Sequence, residues 1–227
     1  MAQSVLVIAD SGSGKSTSIR DLDPKETFII NIANKPLPFK GWKKNYTMIG
    51  KDNQKGNMTG VSSAAGIMKA MMHVNDKMPH IKNLVIDDWQ YMSSFEYFDR
   101  ADEKGYDKFT SIAKNLAQVA KMPKDMRDDL YIFFLTHSEE STDVNGHRKV
   151  KAKTVGKMID NALTLEGLFS IVLFGKVVKG EDDKLSYVFE TANNGENTCK
   201  SPAGMFDDAR IDNSLKVVKD AIIEYEN

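Results

Sequence analysis

Residues 4–17 read SVLVIADSGSGKST. Val5, Leu6, Val7 and Ile8 form an apolar run of the kind buried in a parallel sheet, and it stops abruptly at Asp10, Ser11, Gly12, Ser13 and Gly14. Lys15, Ser16 and Thr17 then open a predicted helix. Strand, glycine-rich turn and helix start together make an anion cradle. The glycines let consecutive backbone N–H groups converge on one charge, and the positive end of the helix dipole adds attraction for it. Ser11, Gly12, Ser13, Gly14, Lys15, Ser16 and Thr17 are therefore the expected phosphate-binding residues, with Lys15 reaching the β and γ phosphates and the Ser16 hydroxyl ligating Mg²⁺. The pattern departs from G-x-x-x-x-G-K-[ST] at its first position, which is Ala9. A small residue fits there if its φ stays negative.

The rest of the chain narrows the class. At 227 residues it is long enough for a substantial core, read here as one domain: a core over about 1–178, then a hairpin and terminal helix over about 179–227. A net charge of −1 gives no global basic field, so a nucleic-acid site has to be a local patch. The single cysteine, Cys199, excludes a disulfide framework and a Cys-rich zinc site and fits a reducing compartment. No leader pattern and no apolar run of about 18 residues are seen, so the expected location is the cytoplasm, with no membrane partner.

A second acidic motif follows the first strand at the distance a nucleotide site needs. Leu84-Val85-Ile86-Asp87-Asp88 is an apolar strand ending in two carboxylates. Asp87 is the expected Mg²⁺-shell aspartate, and Asp88 the group that orients or deprotonates an attacking water. Between the two motifs, Thr27 to Ile32 reads as another buried strand. The loop NKPLPFKGWKK (34–44) carries Lys35, Lys40, Lys43 and Lys44 beside Phe39 and Trp42. Those rings either stack a base or cover a core edge beneath solvated lysines. Ser62 is the expected cap of a helix to about Val74, with Ile67, Met68, Met71 and Met72 inward.

Helices are predicted over Trp89–Arg100 and Asp107–Lys121, the second ended by Pro123. Leu130 to Leu135 is a third buried strand, delivering Thr136, His137 and Ser138 to the sheet edge where ligands of open α/β folds lie. His137 there is either a γ-phosphate sensor or a structural histidine. From Val144 to Met158 there is no acid, while Arg148, Lys149, Lys151, Lys153 and Lys157 crowd around Asn145-Gly146. This is a hairpin or loop suited to phosphates of a nucleic-acid strand, or simply solvated. Strands over Phe169–Val178 and Leu185–Thr191 and an amphipathic helix over Ser214–Tyr225 close the chain.

ADSGSGKST, KPLPFKGW, LVIDD, FFLTHSE and GENTCKSPAGMF together resemble phage-encoded RecA-like P-loop ATPases that act in single-strand annealing and recombination. The resemblance implies a mostly parallel α/β core in which the Leu130–Leu135 strand lies between the P-loop strand and LVIDD. It implies ATP and Mg²⁺ as ligands, homo-oligomers with ATP at subunit interfaces, single-stranded DNA bound by the loop over Arg148–Lys153, and a single-strand-binding or other replication protein as a candidate partner. Lys15 and Ser16 match the phosphate and Mg²⁺ groups, Asp87 the Mg²⁺ aspartate, and Thr136 and His137 the sensor position. Lys200 falls where related ATPases place a basic finger reaching the neighbour's γ-phosphate. Two positions depart. The second strand ends Asn31-Ile32-Ala33-Asn34 where such proteins take a catalytic glutamate, leaving Asp88 as the substitute, and Pro202 occupies the place of a second finger cation. The competing expectation is a nucleotide-gated oligomeric switch that engages a protein partner with little turnover.

Overall fold

The first strand, β1 (Gln3–Ala9), lies at the centre of the sheet, and every residue from Val5 to Ala9 is buried. The computed structural model describes residues 1–142, 146, 148–155, 163–180 and 183–227. Around β1 the chain builds β2 (Thr27–Asn31), β3 (Met58–Thr59), β4 (Asn83–Asp87), β5 (Tyr131–Thr142), β6 (Arg148–Ala152), β7 (Ile171–Lys179), β8 (Leu185–Glu190) and β9 (Arg210–Asp212). Their order is β3-β2-β4-β5-β1-β7-β8-β9, with β6 paired to the outer part of β5. The pairs from β3 across to β7 are parallel, while β6, β8 and β9 run antiparallel to their neighbours. The fold is α/β, a mostly parallel mixed sheet flanked by helices, and β5 lies between β1 and β4.

Alternation along the central strands sends side chains to two separate cores, as a sheet covered on both faces requires. Leu6, Ile8, Phe28, Ile30, Leu84, Ile86, Ile132 and Phe134 face one layer of helices: α2 (Ala64–Lys77), α3 (Gln90–Asp99) and α4 (Asp107–Lys121). Val5, Val7, Ile29, Val85, Phe133 and Leu135 face the other, where Leu215, Val218 and Ile222 of α5 (Leu215–Glu226) close the core. The terminal helix is thus part of the central packing. Within α4 the four positions expected inward, Ile112, Leu116, Val119 and Ala120, are all buried. Trp89 is fully buried against Phe134, ring centroids 4.7 Å apart, and edge-on to Phe169. Phe95 and Phe98 of the same aromatic segment are exposed.

Several expectations are corrected. The helix after the glycine-rich loop is a six-residue 3-10 helix, Ser16–Asp21, so dipole attraction for an anion is weaker there than a long α-helix would give. The cap of α2 is Ser63, whose side chain accepts from Gly66 N at 3.2 Å, and Met72 is exposed where an inward position was expected. The third strand continues past Leu135 through Thr136, His137 and Ser138 to Thr142, because residues 138–142 find a new partner in β6. The rings of the 34–44 loop cover a core edge: Phe39 and Trp42 are half-buried against the second core and Phe39 meets Tyr46 edge-on at 6.2 Å. Trp42 opens the four-residue helix α1 (Trp42–Asn45), and Lys40, Lys43 and Lys44 stay exposed. Asn145, Lys157 and Met158 lie outside the described residues, as do Val144, Glu181 and Asp182.

Ala9, where the sequence departs from G-x-x-x-x-G-K-[ST], ends β1 without a positive φ and pairs with Gly175 of β7. A Cβ at 175 would lie 2.9 Å from that of Ala9, closer than carbon atoms tolerate. The methyl at position 9 is therefore accommodated by its absence opposite. Gly175→Ala is expected to destabilise the protein by about 1–3 kcal/mol in urea unfolding. Adding Ala9→Gly should recover much of that, a coupling read from the double-mutant cycle. Independent, additive effects would refute the contact.

Candidate functional site

One cavity of about 790 Å³ opens at the carboxyl ends of β1 and β5, the sheet edge at which the parallel strand β4 also ends. Asp10, Ser11, Gly12, Gly14, Lys15, Ser16 and Thr17 line it from the glycine-rich loop and the turn after it, and Arg20, Lys35, Pro36, Pro38, His137, Leu185, Ser186, Tyr187 and Asn213 complete it. Gly12 and Gly14 take φ of +80° and +87°, the left-handed region that favours glycine. Gly14 is constrained twice over, since a Cβ there would also meet Tyr187 at 3.0 Å and the Asn213 side chain at 3.1 Å. Ser13 turns away from the cavity. Its hydroxyl donates to the Asp10 carbonyl at 2.7 Å, fastening the loop rather than offering a ligand contact.

Beneath the loop lie two fully buried carboxylates. The Ser16 hydroxyl donates to Asp87 Oδ1 at 2.8 Å, and Lys15 Nζ donates to Asp88 Oδ1 at 2.5 Å while standing 3.7 Å from Asp87. The residues assigned from two motifs 71 and 73 positions apart are thus in direct contact. Asp88 adopts φ +58°, outside the strand, and its second oxygen faces Lys35 Nζ. His137 Nε2 stands 3.6 Å from Asp88 Oδ1.

Electrostatics separate the two acids. Burial pushes the Asp87 carboxyl above its ordinary value, against the pull of Lys15 and with added repulsion from Asp88. For Asp88 burial acts in the same direction, but His137, Lys15 and Lys35 outweigh it and hold the carboxyl well below the usual range. Burial alone would lower Lys35; its hydrogen bond and attraction to Asp88 raise it instead. Asp87 Oδ2 is buried with no protein partner. A buried carboxylate with one oxygen free, whose other oxygen accepts from the Ser16 hydroxyl, suits an oxygen-preferring divalent cation. Mg²⁺ fits these residues. Among the described residues there is no separate cluster of three or more His, Cys, Asp or Glu that would hold a metal unaided.

The polar part of β5 is tied to its surroundings by hydrogen bonds. Gln90 Oε1 accepts from His137 N at 3.1 Å, the Ser138 hydroxyl donates to Asp10, and Lys153 N donates to the His137 carbonyl at 2.8 Å. The basic segment accordingly springs from the cavity edge as the antiparallel strand β6. Lys149, Lys151 and Lys153 share one parity, opposite to half-buried Val150 and buried Ala152. Lys149 and Lys153 are exposed. Lys151 is instead paired with Glu139 at 3.2 Å across the hairpin, an acid contributed by the strand opposite. Arg148 is the first residue of β6, paired with Thr142. Lys200 is exposed, bridged through its backbone to Val172 on β7 and outside the cavity lining, so it does not serve its own chain's site.

No protein-family model matches the chain, and no curated protein matches it. The site's chemistry is therefore read from its own residues. No helix among the described residues is long and apolar enough to cross a membrane.

Lys35, Gln90, Tyr187 and Asn213 belong to the site but were not expected in it. Lys35 had a usable signal, since it follows the carboxyl end of a buried strand, where ligands of such sheets gather. Tyr187 and Asn213 arrive through the pairing of β8 with β7 and β9, which no local motif announces.

Proposed function

We propose that the protein is a Mg²⁺-dependent, RecA-like P-loop ATPase that oligomerises with ATP at subunit interfaces and binds single-stranded DNA. Its work would be annealing or homologous recombination in phage DNA metabolism, in the host cytoplasm. The contact of Lys15 and Ser16 with Asp88 and Asp87 carries this reading, because a glycine-bearing anion loop facing two buried carboxylates is the arrangement that triphosphate chemistry uses. Loop amides from Ser11 to Gly14 would receive the phosphates, and Lys15 would turn from Asp88 to the terminal ones. Ser16 and Asp87 would hold Mg²⁺, which when bound offsets charge on the phosphate oxygens. Asp88 would take the proton of a water attacking the terminal phosphorus as the bond to the leaving diphosphate breaks, and His137 would contact the phosphate from β5. Lys200 of a second subunit would supply the remaining cation.

A second reading is favoured by one observation: Asp88 is held by two lysines with a histidine nearby, and Asn31 stands where a glutamate would aid water attack. Those features suit a nucleotide-gated switch with little turnover. Phosphate release measured with and without single-stranded DNA separates the two. DNA-stimulated release supports the ATPase, ATP-dependent assembly without release supports the switch, and absence of nucleotide binding overturns both.

For the DNA surface, alanine at Arg148, Lys149, Lys151 and Lys153 should weaken binding of an oligonucleotide and flatten its salt dependence. Exposed Lys149 and Lys153 alone should lower the log–log slope by about 1.4, at ~0.7 per phosphate neutralised on a single strand. ATP affinity should not change. Intact DNA binding would transfer the interface to the exposed lysines of the 34–44 loop.

A further inference from the structure

Lys35 occupies a position that neither nucleic-acid contact nor core support explains. Its side chain is 46% exposed and lines the cavity, yet its ammonium rests on a carboxylate with no exposure at all. The same carboxylate receives Lys15 on its other oxygen, so the two ammonium groups flank a single Asp88. One of them, Lys15, belongs to the P-loop and is 5% exposed; the other enters from the cavity wall.

The backbone that carries Lys35 is specifically built. Asn34 adopts φ +49°, a conformation uncommon outside glycine, and its N–H donates to the Asn31 carbonyl at 3.0 Å. The Asn31 side-chain amide donates to the Lys35 carbonyl at 2.7 Å. Pro36 restricts Lys35 to extended backbone, and Pro36 and Pro38 both form cavity wall. The end of β2, where the resemblance expects a glutamate, is thus used to aim a lysine. A loop that merely covered the core edge would need none of this, since Leu37, Phe39 and Trp42 already do so.

We propose that Lys35 is a γ-phosphate ligand supplied by the same chain: when a triphosphate enters, its ammonium moves from Asp88 Oδ2 to a terminal phosphate oxygen. The site thereby tells triphosphate from diphosphate. This rests on the P-loop reading above. Lys35 already lines the cavity, and His137 stands 3.6 Å from Asp88. A diphosphate lacks the oxygens Lys35 would reach, so it would leave the Lys35–Asp88 pair in place. A lysine suits such a role because its compact charge can change partners without bidentate geometry.

The test is equilibrium titration of the full-length protein with adenosine triphosphate and diphosphate, by calorimetry, with and without Mg²⁺. The wild type should prefer the triphosphate by about tenfold or more, the scale of one charge-assisted contact. Lys35→Met should lose that preference by weakening triphosphate alone, with diphosphate affinity within about twofold of wild type. Lys35→Arg should retain it. Lys35→Gln, polar and uncharged, should behave as the Met variant does and covers the case in which that variant folds poorly. An unchanged ratio in Lys35→Met or Lys35→Gln, or an equal loss for both nucleotides, would overturn the assignment and leave the P-loop reading standing. A wild type that binds neither nucleotide would overturn both.

Discussion

On the proposed function, Lys15→Ala is expected to reduce triphosphate affinity by about 100-fold or more, because Lys15 would make several charge-assisted bonds to the terminal phosphates. The same substitution should lower the unfolding midpoint. Lys15 is 5% exposed and its partners are fully buried, so its loss leaves carboxylates short of a counter-charge in a medium that solvates them poorly. Breaking one side of a buried pair costs about 3–5 kcal/mol, and here Lys35 and His137 remain near Asp88 to lessen it. Combining Lys15→Ala with Asp88→Asn should return much of the stability without returning affinity. Thermal unfolding alongside nucleotide titration checks both. A protein that binds triphosphate normally without Lys15 would show that the loop is not a phosphate site.

Asp88→Asn separates binding from chemistry. The amide keeps the shape of the side chain but cannot take a proton from water, so turnover should fall by about 10²–10⁴-fold. Triphosphate affinity should hold or rise, since Lys15 and Lys35 would no longer be drawn to a carboxylate that competes with phosphate. Initial rates of phosphate release, set beside calorimetric titrations, provide the two readings. Undiminished release would exclude Asp88 as the water-activating group. If the wild type already releases almost no phosphate, only the affinity change should be seen, in line with the switch reading.

What could be read along the chain follows from how locally each feature is encoded. The glycines at 12 and 14, the apolar run before them and the two aspartates after Ile86 each state their structure within a few residues, and the fold brings Lys15 and Ser16, next to those glycines, into contact with the aspartates. The four inward positions of α4 follow from helical spacing alone. Features set by partners elsewhere could not be read. Leu135 looked like a strand end because the apolar run stops there. The strand continues because its polar residues pair with β6. The segment after Val144 looked uniformly basic because Glu139, which neutralises Lys151, lies on the opposite strand. Lys35 looked like one lysine among four in a basic loop. Only the turn through Asn34 sends it inward.

The pairing of β6 with the outer half of β5 also fixes something its lysines do not control. Side chains on a strand alternate, so sliding β6 by a single position would turn Lys149, Lys151 and Lys153 toward the protein and present Val150 and Ala152 to water. Burial of Ala152 and the packing of Val150 resist that slip. Any outward row of charge here is therefore maintained by two small apolar residues that never meet a phosphate.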